Sequence, residues 1–353
     1  MSWTVVGQER AIDALSAAIR GDRVAHAYLF AGPAHVGKTL TALQFAQALN
    51  CTAEGDRPCG SCRQCERIAA RTHADVELLT IGGVCDERDH NHASDDSRDI
   101  RVCQLRRMEQ MVSRAPFEGR YRVVIIDPAD AMRDVSQNAL LKTLEEPPAQ
   151  VVIILVTDRE EMLLPTARSR ARRIAFSGLP KDAIERALRT RWSAEVERAA
   201  ELARLSGGRI GWAVLALHDE ALLETRADTL DRADELARAP LADRFAFAGE
   251  LGGRYTRDRA RVQATLGLWQ EWWRDILLIA AGREREAVHR DRLDRLRPLA
   301  AQCGVAPAAR ALRAITDARQ QLEENASPVL ALEVMMLALP ELRTNAVAAR
   351  LAT

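Results

Sequence analysis

The sequence lacks a charge bias: its 50 basic and 50 acidic residues cancel over 353 positions. No global positive field draws it to a polyanion, so any contact with nucleic acid has to be local or made through partners. It also lacks any apolar run approaching the ~20 residues that a membrane-spanning helix needs. Residues 1–7 hold no apolar core segment, so no secretory leader is expected. Internal repeats are absent as well. What is present, 47% hydrophobic and 28% charged residues, is the balance of a soluble globular protein. A chain of 353 residues exceeds what one hydrophobic core serves, which points to two or three domains. Cysteine is sparse, but four of the seven crowd between positions 51 and 65. That spacing reads as metal binding in a reducing compartment, so a cytoplasmic protein without membrane contact is expected.

Up to about residue 177, helical segments alternate with short β-branched runs. The runs are Ala27-Tyr28-Leu29-Phe30, Val76-Glu77-Leu78-Leu79, Arg122–Ile126 and residues 151–156. The last two are almost continuous Val and Ile, as strands covered on both faces of a parallel sheet require. Strands alternating with helices imply βαβ units. Residues 82–99, rich in Asp, Gly and His, read as a surface loop of unassigned role. After Gly178-Leu179-Pro180 the strands stop. Residues 182–191, 194–206 and 210–217 read as short helices, and from about 225 onward the period is helical throughout. Near the end, Asn325 can close one helix, Ser327 can N-cap the next, and Pro328 fits its first turn. The organisation expected is an α/β domain over 1–177, a small helical lid over 178–224, and an all-α domain over 225–353.

Gly32-Pro33-Ala34-His35-Val36-Gly37-Lys38-Thr39 matches G-x-x-x-x-G-K-[ST], behind a strand and before a helix-like stretch at 40–49. In that context the loop's amides and the helix N-terminus cradle phosphate. Lys38 would reach the β/γ phosphates and Thr39 would ligate Mg²⁺, so Gly32, Gly37, Lys38 and Thr39 are candidate ATP or ADP contacts. The strand at 122–126 ends in Asp127, the expected Mg²⁺-side carboxylate of such a site. The next position, where an ATP-hydrolysing enzyme of this type places a glutamate, is Pro128. Loss of a general base costs about 10²–10⁴ in rate. The expectation is nucleotide binding with poor hydrolysis; the alternative is that Asp130 or another carboxylate substitutes.

Cys51, Cys59, Cys62 and Cys65 form C-x7-C-x2-C-x2-C. Four thiolates make a closed tetrahedral Zn²⁺ site with no open position, hence a structural one. Cys85, His90 and His92 suggest a weaker second cluster, with solvated loop residues as the alternative. Cys103 and Cys303 fall in apolar helical patterns, as small core residues do. Trp269, Trp272 and Trp273 at helical spacing suit a subunit contact or a local core. The arginine-rich stretch 283–297 alternates with Glu and Asp, which favours a solvated face over a DNA site.

The order of Val6-Gly7-Gln8, His26-Ala27-Tyr28-Leu29-Phe30, the phosphate loop, the four cysteines, residues 138–148 (Asn-Ala-Leu-Leu-Lys-Thr-Leu-Glu-Glu-Pro-Pro) and 165–170 (Pro-Thr-Ala-Arg-Ser-Arg) resembles the bacterial DNA polymerase III clamp-loader subunits. The resemblance extends through Trp272-Trp273-Arg274-Asp275 and residues 325–328 over nearly the whole chain. It implies an AAA+ domain, a lid and a C-terminal collar domain. It implies gamma/tau and delta subunits as partners, and the sliding clamp and primer-template DNA through the assembly. The family's Ser-Arg-Cys motif stands here as Ser169-Arg170-Ala171. Arg170 would then be an arginine finger given in trans to a neighbour's nucleotide, with a surface ion pair as the alternative. Thr157 takes the sensor position at the end of its strand, or is merely a β-former. Where motor subunits carry a lid arginine, alignment of Gly208-Arg209-Ile210-Gly211-Trp212-Ala213 places Gly211. With Pro128 and Gly211 both striking the resident site and Arg170 retained, the chain is similar to the delta-prime (stator) type; an active gamma/tau-type motor is the alternative.

Overall fold

A computed structural model describes residues 3–85, 98–255, 257–324 and 326–342. The chain forms two compact units, Met1–Val214 and Leu215–Thr353. Among the described residues no helix is long and apolar enough to cross a membrane. Most of the 82–99 loop, with His90 and His92, and Asn325 lie outside the described residues.

The first unit is built on five parallel strands in the order β2-β3-β4-β1-β5. They are β1 (Ala27–Ala31), β2 (Val76–Leu79), β3 (Arg122–Ile126), β4 (Val151–Thr157) and β5 (Arg172–Ala175). Every residue of β4 is buried, as its Val/Ile run anticipates for a central strand. Period-2 alternation splits the strand residues between two cores. Leu29, Val124, Ile126, Ile153 and Leu155 pack with one, and Tyr28, Phe30, Ile125, Ile154 and Val156 with the other. The first four strands fall where the sequence predicts them. β5 does not appear in the sequence reading, because only Ile174 of its four residues is buried. It is an edge strand, held in register by β1, with Phe30 opposite Ile174.

Around the sheet lie α1 (Glu9–Arg20), α2 (Lys38–Asn50), α3 (Arg63–Ala69), α4 (Val102–Val112), α5 (Asp134–Glu145) and α6 (Pro165–Arg170). Then come α7 (Lys181–Arg191), α8 (Val196–Leu205) and α9 (Ile210–His218), within a residue or two of the expected helices. Asp75, fully buried at the start of β2, organises the loop ahead of β3. Its carboxylate accepts the backbone N–H groups of Phe117, Glu118 and Gly119 at 2.7, 2.8 and 2.8 Å. It also pairs with the Arg122 guanidinium at 2.9 Å. Burial pushes this carboxyl up, but the three amides and Arg122 outweigh burial and hold it below its usual range.

The second unit contains α10 (Ala221–Arg238), α11 (Leu241–Tyr255), α12 (Arg259–Ala280), α13 (Leu293–Cys303), α14 (Val305–Glu323) and α15 (Pro328–Ala338). Trp269, Trp272 and Trp273 are all buried in its core, which decides for a local core. Among the described residues the buried Arg244 has no carboxylate hydrogen-bond partner. It donates to the carbonyls of Ala237, Ala239, Leu339 and Pro340, closing the C-terminal ends of α10 and α15 together. Burial lowers its pKa. Asp275 and His289, both fully buried, bind each other at 2.7 Å. A guanidinium can only donate, so the Arg226 contact at 2.8 Å makes His289 Nε2 the acceptor and turns Nδ1–H toward Asp275.

Arginines in the 283–297 stretch are engaged with acids. Arg283 pairs with Glu286, Arg297 with Glu284, and Arg292 and Arg295 share Asp231. Pro328 starts α15 as expected, but Ser327 makes no side-chain cap; the first turn closes through its backbone carbonyl to Ala331 N.

Two stability predictions follow from these buried charges. Asp75→Asn should destabilise the first unit by about 3 kcal/mol in urea unfolding, because Arg122 is left without its counter-charge. A depressed carboxylate contributes stability above its unfolded pKa and loses it as pH falls through the folded value. The gap between wild type and Asp75→Asn should therefore narrow below pH ~4. Arg244→Ala should cost the second unit on the order of 3 kcal/mol, since four carbonyls lose a charged donor.

Candidate functional site

β4 lies between β3 and β1, with Ala31 opposite Thr157 and Ile126 opposite Leu155. The carboxyl ends of three adjacent strands thus deliver the phosphate loop, Asp127 and the Thr157-Asp158 pair to one edge of the sheet. In open α/β sheets ligands bind at that edge.

Gly32 opens the loop at φ +154, and a Cβ there would fall 2.2 Å from the Phe176 carbonyl oxygen. Only glycine fits so close to the chain leaving β5. The loop ends at Gly37, and α2 begins with the buried Lys38. The Lys38 ammonium donates to Gly32 O at 2.7 Å, Pro33 O at 2.5 Å and Asp158 Oδ1 at 2.7 Å. An ammonium has three donors, and all three are engaged. Thr39 Oγ1 donates to Asp127 Oδ2 at 2.5 Å, so the two expected Mg²⁺ ligands adjoin. Burial pushes the Asp127 carboxyl above its ordinary range, against the Thr39 bond that pulls it down.

Pro128 carries no base, and Asp130 is occupied. Its carboxylate accepts Thr157 Oγ1 at 2.7 Å and the Arg159 guanidinium at 2.6 and 3.1 Å. Thr157 Oγ1 also accepts Arg159 N at 2.9 Å, so this strand-end threonine belongs to a polar network beside the loop.

At the far side, Gly211 N donates to His35 O at 2.8 Å. A Cβ at Gly211 would sit 2.9 Å from that oxygen. Gly211 is thus pressed backbone to backbone on the phosphate loop, so any side chain there would force the two apart. Gln8 ties the same loop to the chain beyond β5, donating to Val36 O at 3.3 Å and Ser177 O at 2.7 Å. Burial, reinforced by Arg209, lowers the His35 pKa and favours the neutral ring.

Arg170 stands apart from this group. At the end of α6, one-third exposed, it donates to Glu145 Oε1 at 2.7 Å and to Thr166 O at 2.9 Å.

The four cysteines come together between the C-terminus of α2 and the start of α3. Their sulfurs all lie within 4.8 Å of one another, with Cys51–Cys62 and Cys59–Cys65 at 4.0 Å. Four sulfurs at ~2.3 Å from one tetrahedral ion would be spaced by about 3.8 Å, so the cluster fits a zinc ion with little adjustment. The thiol of Cys62 is brought down to about 6 although burial opposes this, by hydrogen bonds from Thr52 and Cys65. Cys103 and Cys303 are buried core residues.

Sequence reasoning missed Asp158 and Arg159, the counter-charges of Lys38 and Asp130. A signal existed, since charged residues directly after a fully buried strand must sit at the ligand edge. Which loop group each would pair with depends on strand order.

A family model described as DNA polymerase III, delta subunit, matches residues 7–180. The chain is 27% identical over 346 residues to DNA polymerase III subunit delta' of Bacillus subtilis, covering 97% of this chain and 99% of that one. It is 34% identical over 225 residues to subunit delta' of Pseudomonas aeruginosa, covering 62% and 63%. It is also 32% identical over 363 aligned positions to the gamma/tau subunit of Mycobacterium bovis, 94% of this chain but 59% of that longer one. Among solved structures, a DNA polymerase III gamma subunit-related protein of Thermotoga maritima covers 92% of this chain and 97% of its own at TM-score 0.37 and 13% identity. On the family model and the end-to-end match to a delta' relative, the chain belongs to the bacterial DNA polymerase III clamp-loader subunits, of the delta-prime type.

Proposed function

We propose that the chain acts as the stator of its clamp loader, working with gamma/tau and delta subunits in the cytoplasm to place the sliding clamp on primed DNA. Contact with clamp and primer-template DNA would run through the assembly. In this reading residues 178–224 serve as the lid and 225–353 as the collar domain that holds the subunits together. The resident site binds ATP or ADP through Gly32, Gly37, Lys38 and Thr39, with Asp127 and Thr39 on the Mg²⁺ side and Thr157 as sensor, but turns nucleotide over poorly.

One observation carries this reading: the position after Asp127 is proline, and the nearest acid along the chain, Asp130, is bound by Thr157 and Arg159. A carboxylate already holding a guanidinium is a poor acceptor for a proton from water. The Glu145 partner of Arg170 is half exposed, and a pair of that exposure is worth about 0–1 kcal/mol. Arg170 can therefore leave Glu145 at little cost and reach the phosphates of a neighbour's nucleotide, where a fixed guanidinium offsets growing charge. Cys51, Cys59, Cys62 and Cys65 would hold one structural Zn²⁺, stapling α2 to α3.

The isolated chain should show little steady-state ATP turnover. Arg170→Ala should lower turnover by the assembled loader without reducing assembly, and at the site it serves the loss should approach ~10³. Arg170→Lys should restore little. Robust turnover by the isolated chain, abolished by Lys38→Ala, would favour the gamma/tau-type motor and sink the stator reading. Elemental analysis should find about one zinc per chain. A folded, metal-free preparation with all four thiols titratable would reject the zinc site.

A further inference from the structure

The phosphate loop holds its own counter-ion. Lys38 is 5% exposed, and the single carboxylate among its three acceptors, Asp158, is 49% exposed at the rim. A phosphate that engages Lys38 must take donors now given to Gly32 O, Pro33 O and Asp158. The two carbonyls belong to the loop itself and are neutral. Asp158 is different, because its charge would face the incoming phosphate at the distance of direct contact, where like charges repel.

We infer that Asp158 is an internal competitor for nucleotide phosphate, an autoinhibitory contact that lowers the affinity of the resident site. The inference rests on the proposal that the phosphate loop is a nucleotide site, and it names what regulates that site. Two features support a clasp over an incidental ion pair. Asp158 follows Thr157, whose register opposite Ala31 sets the aspartate beside the loop. Its backbone neighbours are fixed too, since Thr157 and Arg159 are both bound to Asp130. The outer side of the loop is held by the Gly211–His35 backbone bond, so the loop is restrained while Asp158, half exposed, is the part free to swing into solvent.

The test is calorimetric titration of the full chain with ATP, ADP and AMP, for wild type, Asp158→Asn and Lys38→Ala. Asp158→Asn keeps the side chain's shape and removes its charge. It should bind ATP and ADP about three- to tenfold more tightly than wild type, with AMP unchanged, since Lys38 serves the outer phosphates. Lys38→Ala should weaken both. Equal ATP affinity for wild type and Asp158→Asn overturns the inference and leaves the nucleotide site standing. A gain that extends equally to AMP also overturns it, because that would be a general loosening of the pocket. No binding by either protein at millimolar nucleotide overturns the inference together with the phosphate-loop reading. A thermal midpoint for Asp158→Asn within a degree or two of wild type would show that the change in affinity is not one of folding.

Discussion

Everything at the candidate site depends on β4 being paired on both sides. With β3 on one edge and β1 on the other, the ladder fixes where three strand ends stop, and those ends carry the phosphate loop, Asp127 and Thr157-Asp158. Side chains from segments more than a hundred residues apart thereby meet within hydrogen-bond distance. A site made this way is rigid at its base, because β4 is wholly buried between two apolar cores and cannot slip by one residue without turning both inside out.

The polar groups delivered to that edge bind one another. Lys38 takes Asp158, Asp130 takes Arg159, and Asp127 takes the Thr39 hydroxyl. Each pairing satisfies a group that would be costly to leave alone at low dielectric. The Gly211 contact has the same character: the start of α9 approaches the loop so closely that no side chain is accommodated there. A resident site whose groups satisfy one another, with Arg170 apart from it and held by an exposed pair, is the electrostatic arrangement that the proposed stator role calls for.

The rest of the molecule uses buried charge to set geometry. Asp75 gathers three consecutive amides and Arg122, and the loop it orders also touches α3 behind the cysteine cluster, through Gln64 to the Glu118 carbonyl and Arg67 to the Glu118 carboxylate. In the second unit, Arg244 joins two helix ends by donating to carbonyls at both, and Asp275 with His289 fixes the segment after α12. Asp75 and Arg244 stand in no local motif read from the sequence, because they bind backbone groups as far as 44 and 96 residues away.

By itself, the sequence determined the parallel α/β unit, the phosphate loop, the carboxylate after β3, the cysteine cluster and the helical remainder. These rest on local signals: β-branched runs, glycine and cysteine spacing, and helical period. It did not reveal β5, whose solvated residues break the apolar run, nor that Ser327 leaves its cap unmade. Tertiary structure alone decided that Asp130 is engaged by Thr157 and Arg159, that Asp158 answers Lys38, that Gly211 touches His35, and that the three tryptophans form a local core. The physical reason is common to all four: a side chain's protonation, reach and partners are set by what the fold brings within about 3 Å, and that distance is not encoded in spacing along the chain.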